Sequence, residues 1–362
     1  MKVLILGAGS IGGYVGGRLQ QSGTDVTFLV RAPRRERLER DGLVIKSAKG
    51  DITQKVKTVL GGAEGGPYDV VLLTCKAYDL DSAIEAIAPA VGANTTIVPL
   101  LNGMRHIDTL VAKFGDAKVV GGLARVGVAM SPEGVILHTS PFAAISFGER
   151  VAAPARAQLV ELDAAIKKSG VDGGLHKDIV QDLWDKWIML CSLAAMSCLM
   201  RGTVGDILEA GEGQAIMLET VEECRKVAAA AGGDPGDKGM QTVKGYLTQK
   251  GSRFAASMLH DLEKAATVEE CRKVAAAAGG DPGEKGMQTV KGYLTQKGSR
   301  FAASMLHDLE KTAMVEADHI VGDMIARAQK AGIATPNLRM AYAHLQVYLA
   351  RRARGGIGKP AM

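Results

Sequence analysis

KVLILGAGSIGGYVGGRLQQSGTDVTFLV, residues Lys2–Val30, is the stretch on which the fold turns. Its first part, Lys2–Leu6, is an apolar run that predicts a buried strand, and Asp25–Val30 predicts a second. Between them stand Gly7-Ala8-Gly9-Ser10-Ile11-Gly12-Gly13 and a helical pattern through Tyr14, Val15 and Leu19. Strand, GxGxxG turn, helix and strand in this order describe a dinucleotide-binding unit. Gly7 permits the tight turn, Gly9 lets the backbone approach a pyrophosphate, and Gly12 lets helix and strand pack closely. The helix start, at Ser10 and Ile11, offers free N–H groups and the positive end of the helix dipole to the phosphates. A glycine-rich turn with no ligand is the plainer alternative, and the strand–helix context weighs against it.

The residue after the second strand selects the coenzyme. An NAD site places an acid there for the ribose hydroxyls, but this chain has Arg31, followed by Ala32, Pro33, Arg34 and Arg35. A guanidinium suits a 2′-phosphate in charge and in its forked donors. NADP(H) is therefore the expected coenzyme, with Arg31 as chief contact; Arg34 and Arg35 read as solvated. Further apolar runs at Asp69–Thr74, Thr96–Leu100 and Val119–Val120 alternate with helical stretches, which predicts a doubly wound sheet. Ligands in such sheets lie beyond the carboxyl ends of the strands. Lys76 and Asn102 stand at two of those ends and are candidate site residues. Taken singly, each reads as an ordinary loop lysine or turn asparagine.

Composition fits this picture. The chain has 362 residues, enough for two domains, and 47% of them are apolar. The net charge of +5 is mild, and the basic clusters Arg31–Arg40 and Arg351–Arg354 lack an aromatic platform or motif for nucleic acid. The five cysteines form no CxxC pair and no metal-ligand spacing with histidine, so no metal is expected and the thiols read as reduced. The chain starts directly on a strand pattern, and no run approaches the ~20 apolar residues of a membrane span. A soluble, cytoplasmic protein is expected.

From about Lys177 the strand patterns stop. His176–Arg201 reads as one helix with apolar residues at Ile179, Val180, Leu183, Trp184, Trp187 and Ile188. Lys186 lies on the border of that stripe. It reads either as a snorkelling lysine paired with Asp182, or as a general acid tuned by partial burial. Spacing alone favours the packing role.

GAGSIGG with Arg31, CKAYD, LLNGM, LHTSPFAAISFGE, LWDKW and SMLHDLEKTAMVEAD followed by HIVG, in this order, resemble the ketopantoate reductase (2-dehydropantoate 2-reductase) family. The resemblance spans the chain apart from one surplus repeat. It implies a Rossmann-type α/β domain, residues 1–176, joined to an all-α substrate and dimerisation domain, residues 177–362. It also implies NADPH-dependent reduction of a 2-oxo acid in pantothenate biosynthesis, by a homodimer. Lys186 then donates the proton, Asn102 holds nicotinamide, substrate and lysine in register, and Lys76 lies near coenzyme and substrate. Ser304 and Glu316 bind substrate. One residue departs from the pattern: Leu190 stands where the family carries a substrate-binding asparagine, and a different 2-oxo acid suits an apolar side chain better. A same-fold dehydrogenase for another hydroxy acid is one alternative; an NADP(H)-binding protein without turnover is another.

Thr220–Ala266 and Thr267–Ala313 are tandem copies that differ only at Asp237/Glu284 and Ala265/Thr312. Two units are too few for a solenoid, so the repeat reads as an insertion by duplication. Each copy offers a serine followed by a glutamate, Ser257 with Glu269 and Ser304 with Glu316. Only the second continues into an E-x-D pattern and an aliphatic-rich helix, so the second is expected to serve the site.

Overall fold

A computed structural model describes residues 1–61, 64–252 and 314–354. The chain divides into two compact units, Met1–Leu183 and Trp184–Met362. The first unit opens with β1 (Lys2–Leu6), α1 (Ser10–Gln21), β2 (Asp25–Leu29) and α2 (Ala32–Asp41). Next come β3 (Leu43–Lys46), β4 (Ile52–Gln54), β5 (Lys57–Val59), β6 (Val70–Leu73) and α3 (Leu80–Ile87). It continues with β7 (Thr96–Pro99), α4 (Arg105–Phe114), β8 (Gly121–Met130), β9 (Ile136–Gly148), α5 (Ala157–Ser169) and β10 (Asp172–Leu175).

Its parallel sheet runs β5-β2-β1-β6-β7. Strand β1 pairs with β2 on one side and β6 on the other, and Leu6 lies opposite both Leu29 and Leu73. Both faces are covered, which is why the strands read as continuous apolar runs. A second sheet runs β10-β9-β3-β4, with β8 antiparallel to β9. The sequence reading had no place for this sheet.

Helix α1 touches both sheets, and glycine makes that possible. Each of its residues from Gly12 to Leu19 is buried. A Cβ on Gly16 would strike Ile5 and Phe28 of the first sheet, and one on Gly17 would strike Ile45 and Leu43 of the second. At Gly12 the obstacles are the Gly7 carbonyl oxygen, a backbone atom, and Thr74 Oγ1, which is held by its hydrogen bond to the Leu6 carbonyl. Gly7 itself holds φ at +91°, where only glycine is unstrained.

The second unit is helical. Helix α6 (Ile179–Met200) crosses the division between units, followed by α7 (Val204–Glu209), α8 (Gly213–Ala230) and α9 (Gly236–Leu247). Beyond the gap in the described residues come a π-helical turn, Asp318–Gly322, then α10 (Asp323–Lys330) and α11 (Pro336–Ala353). Contrary to the sequence expectation, α6 is long and apolar enough to cross a membrane by length and composition; 67% of its most apolar window is buried within the protein, as in a core helix.

The described part of the first repeat copy is built into this unit. Thr220, Val221, Cys224 and Val227 of α8 and Met240, Val243 and Leu247 of α9 are buried. Glu223 caps α11: its two carboxylate oxygens accept from the Asn337 and Leu338 amides at 3.0 and 3.1 Å. The rest of copy one and all of copy two lie outside the described residues, which resume at Met314.

Two outcomes follow. Gly12→Ala should lower the unfolding free energy by about 1–3 kcal/mol, the cost of overpacking against groups that cannot yield. Gly9→Ala, whose Cβ meets no described atom within 4 Å, should stay within about 0.5 kcal/mol of the unaltered chain; urea unfolding reads both. The second concerns Glu223. Burial lifts its carboxyl above the ordinary 4.5, outweighing the two amide bonds that favour the anion. The folded state therefore holds this proton longer than the unfolded chain. Its contribution to stability is full below pH 4.5 and declines as pH rises through the raised value. Glu223→Gln does not titrate, so the stability difference between the two proteins should shift in the variant's favour from about pH 4 to about pH 7.

Candidate active site

Parallel pairing sets the carboxyl ends of four strands side by side. The order is β2, β1, β6 and β7, with Leu29, Leu6, Leu73 and Pro99 in register. Arg31, the glycine turn, Lys76 and Asn102 follow these ends in the same order. At ~4.8 Å between strands, the row spans roughly 15 Å. Backbone bonds lace the ends together: the Gly7 amide donates to the Leu29 carbonyl at 2.9 Å, and the Leu100 amide to the Leu73 carbonyl at 2.9 Å. Thr74 Oγ1 donates to the Leu6 carbonyl at 2.7 Å. Lys76 is exposed and Asn102 is half-buried.

The residues present fit a dinucleotide. Gly9 is the N-cap of α1 and provides no side-chain cap, and the first turn carries no acid. The Gly13 amide makes the first intrahelical bond, to the Gly9 carbonyl at 2.8 Å. The amides at Ser10, Ile11 and Gly12 precede it, where a helix leaves its N–H groups for other acceptors. A Cβ added at Gly9 would meet nothing within 4 Å, so the turn is open on that side.

Arg31 is the N-cap of α2, and its side chain is 78% exposed. Arg35 pairs with Glu39 at 2.7 Å, in keeping with a solvated residue. Arg34 is a correction to the sequence reading. It is half-buried, its Nε donates to the Ala8 carbonyl at 3.0 Å, and its Nη1 donates to the Gly134 carbonyl at 3.2 Å. Burial, with Arg37 as a neighbouring cation, pulls its pKa below the ordinary value. Arg34 thus ties the glycine turn to the β8–β9 hairpin, a contact between segments that no local spacing announces.

In the second unit Lys186 and Leu190 are half-buried on α6, one turn apart. Asp182, the expected partner of Lys186, accepts from His176 Nδ1 at 3.2 Å. Trp184 and Trp187, which flank Lys186 in sequence, stack with centroids 5.2 Å apart. Trp187 Nε1 donates to the Ile320 carbonyl at 3.0 Å. Arg327 lies over both indoles, at 5.9 and 5.4 Å, and is held by Asp323 at 3.1 Å. These contacts pin the lysine-bearing helix to the π-helical turn just after Glu316, which is buried. Asp318 is committed elsewhere, accepting from Tyr342 Oη and Gln346 Nε2 at 2.7 Å each. Ser304, with Ser257 and Glu269 of the first copy, lies outside the described residues. Among the described residues no group of His, Cys, Asp and Glu is arranged to hold a metal.

Residues 3–151 match the family model described as Ketopantoate reductase PanE/ApbA. The model for the carboxyl-terminal part of that family matches at 178–269 and again at 264–349. An uncharacterized oxidoreductase, YkpB of Bacillus subtilis (strain 168), is 32% identical over 97% of this chain and 100% of its own length. The 2-dehydropantoate 2-reductase of Mesorhizobium japonicum is 28% identical over 73% of this chain and 86% of its own. Among solved structures, the PanE/ApbA family ketopantoate reductase from Ralstonia eutropha JMP134 superposes with a TM-score of 0.76. It covers 98% of this chain and 100% of that one, at 22% identity, and so speaks to the fold. With both halves matched in order, this chain belongs to the ketopantoate reductase family of oxidoreductases.

Proposed function

We propose that the protein reduces a 2-oxo acid to the 2-hydroxy acid with NADPH, acting as a homodimer. The observation that carries the coenzyme assignment is the Arg31 guanidinium, exposed beyond β2 beside an uncapped glycine turn. A bound NADPH would supply the hydride to the substrate carbonyl carbon. Lys186, as the ammonium, gives its proton to the carbonyl oxygen, so that the alcohol forms without a free alkoxide. Asn102 orients the reacting groups from the β7 end, and Lys76 adds positive charge for the substrate carboxylate. Trp187 and Arg327 hold the Lys186 segment in place, a precondition for proton transfer over one hydrogen bond.

Leu190 supports a substrate with an apolar group where ketopantoate carries its hydroxyl. Burying that hydroxyl against leucine would leave it without a partner, so an unhydroxylated aliphatic or aromatic 2-oxo acid is the better fit. The repeat is an insertion by duplication, with Ser304 and Glu316 serving the substrate. Glu316 supports this: it is buried in a segment whose Val315, Ile320 and Val321 are buried too.

Oxidation of NADPH in the presence of a panel of 2-oxo acids tests the activity, with turnover expected and faster on apolar members than on ketopantoate. Lys186→Ala should cost about 10²–10⁴ in turnover with NADPH binding nearly intact; survival of turnover within a few-fold would return Lys186 to a packing role. Glu316→Gln should impair turnover while Glu269→Gln leaves it unchanged, and the reverse pattern would assign the site to the first copy.

A further inference from the structure

The sequence places no acid at the end of β2, yet the fold returns one there. Arg31 Nη2 donates to Asp79 Oδ1 at 3.1 Å. Asp79 comes from the loop after β6, three residues past Lys76, and stands at the N-cap of α3 without making a side-chain cap. Its side chain is 38% exposed, and Arg31 is its partner among the described residues. The arginine that would receive a 2′-phosphate is therefore already engaged by a carboxylate.

We infer that Asp79 is a coenzyme-selectivity residue, a built-in competitor that restrains the preference of Arg31 for NADPH over NADH. The inference rests on the NADPH reading above. A 2′-phosphate arriving at Arg31 must share the guanidinium with Asp79, which already holds Nη2, and must then sit beside a like charge. NADH, with a neutral 2′-hydroxyl, meets neither cost. The pair is exposed, so water screens it and the effect is modest. Removing the charge should tighten NADPH by roughly two- to fivefold at low salt, the scale of an exposed ion pair.

The test is a set of titrations of the full-length protein with NADPH and with NADH, for the unaltered chain, Asp79→Asn and Arg31→Ala. The expected result is that Asp79→Asn tightens NADPH two- to fivefold and leaves NADH within experimental error, the gain shrinking as salt rises. Tightening of both coenzymes equally, no change in either, or weaker NADPH binding would overturn the inference; the last would make Asp79 a residue that orients Arg31. Arg31→Ala separates this from the underlying reading. If it removes the NADPH preference while Asp79→Asn does nothing, the inference falls and the coenzyme assignment stands. If it leaves the NADPH-to-NADH ratio untouched, the coenzyme assignment falls with it.

Discussion

Everything in the first unit depends on how closely α1 approaches β1. The Gly7 carbonyl oxygen and the Thr74 hydroxyl occupy the space that a Cβ at position 12 would need. Without that contact the helix start would stand off from the strand ends, and its free amides would no longer face the same edge as Arg31, Lys76 and Asn102. The contact is reinforced one turn on, where Gly16 lies against Ile5 and Phe28. Gly13 and Gly17 do the same against Ile136 and Ile45 of the second sheet. Two glycine pairs four residues apart thus let one helix fit between two sheets, at the cost in helix propensity that glycine always carries.

Charge placement along the strand ends follows from this scaffold. Arg34 is drawn inward to the Ala8 and Gly134 carbonyls, and Arg31 is left outside. Two arginines three residues apart at the start of α2 therefore have different tasks: Arg34 holds the glycine turn against the hairpin, and Arg31 pairs with Asp79 in solvent.

The second unit meets a problem few proteins face, a choice between two nearly identical segments. Chain continuity settles part of it. Helix α8 begins at Gly213, before the repeat, and its buried Met217 runs straight into copy one, so the first copy supplies α8 and α9. Met314 onward follows copy two, and there Val315, Ile320 and Val321 are buried. Each end of the duplicated region is anchored by the unique sequence that adjoins it, because identical side chains offer no energy difference of their own.

Local sequence determined the strand–glycine–helix unit, the apolar strands β1, β2, β6 and β7 and the long helix carrying Lys186. Each of these rests on periodicity or on a backbone demand that one residue type meets, and both are written within a dozen neighbouring residues. The second sheet, the embedding of Arg34, the Asp79 carboxylate beside Arg31 and the Trp187–Ile320 bond were decided by tertiary structure. For the three side-chain contacts the partners lie 26 to 133 residues apart. Short strands such as β3 and β4 have too little pattern to stand alone, and they form because β9 and α1 offer a surface to pair and pack on. Whether a surface arginine is solvated, buried or already paired depends on which distant carbonyl or carboxylate the fold delivers to it, and no window of sequence contains that information.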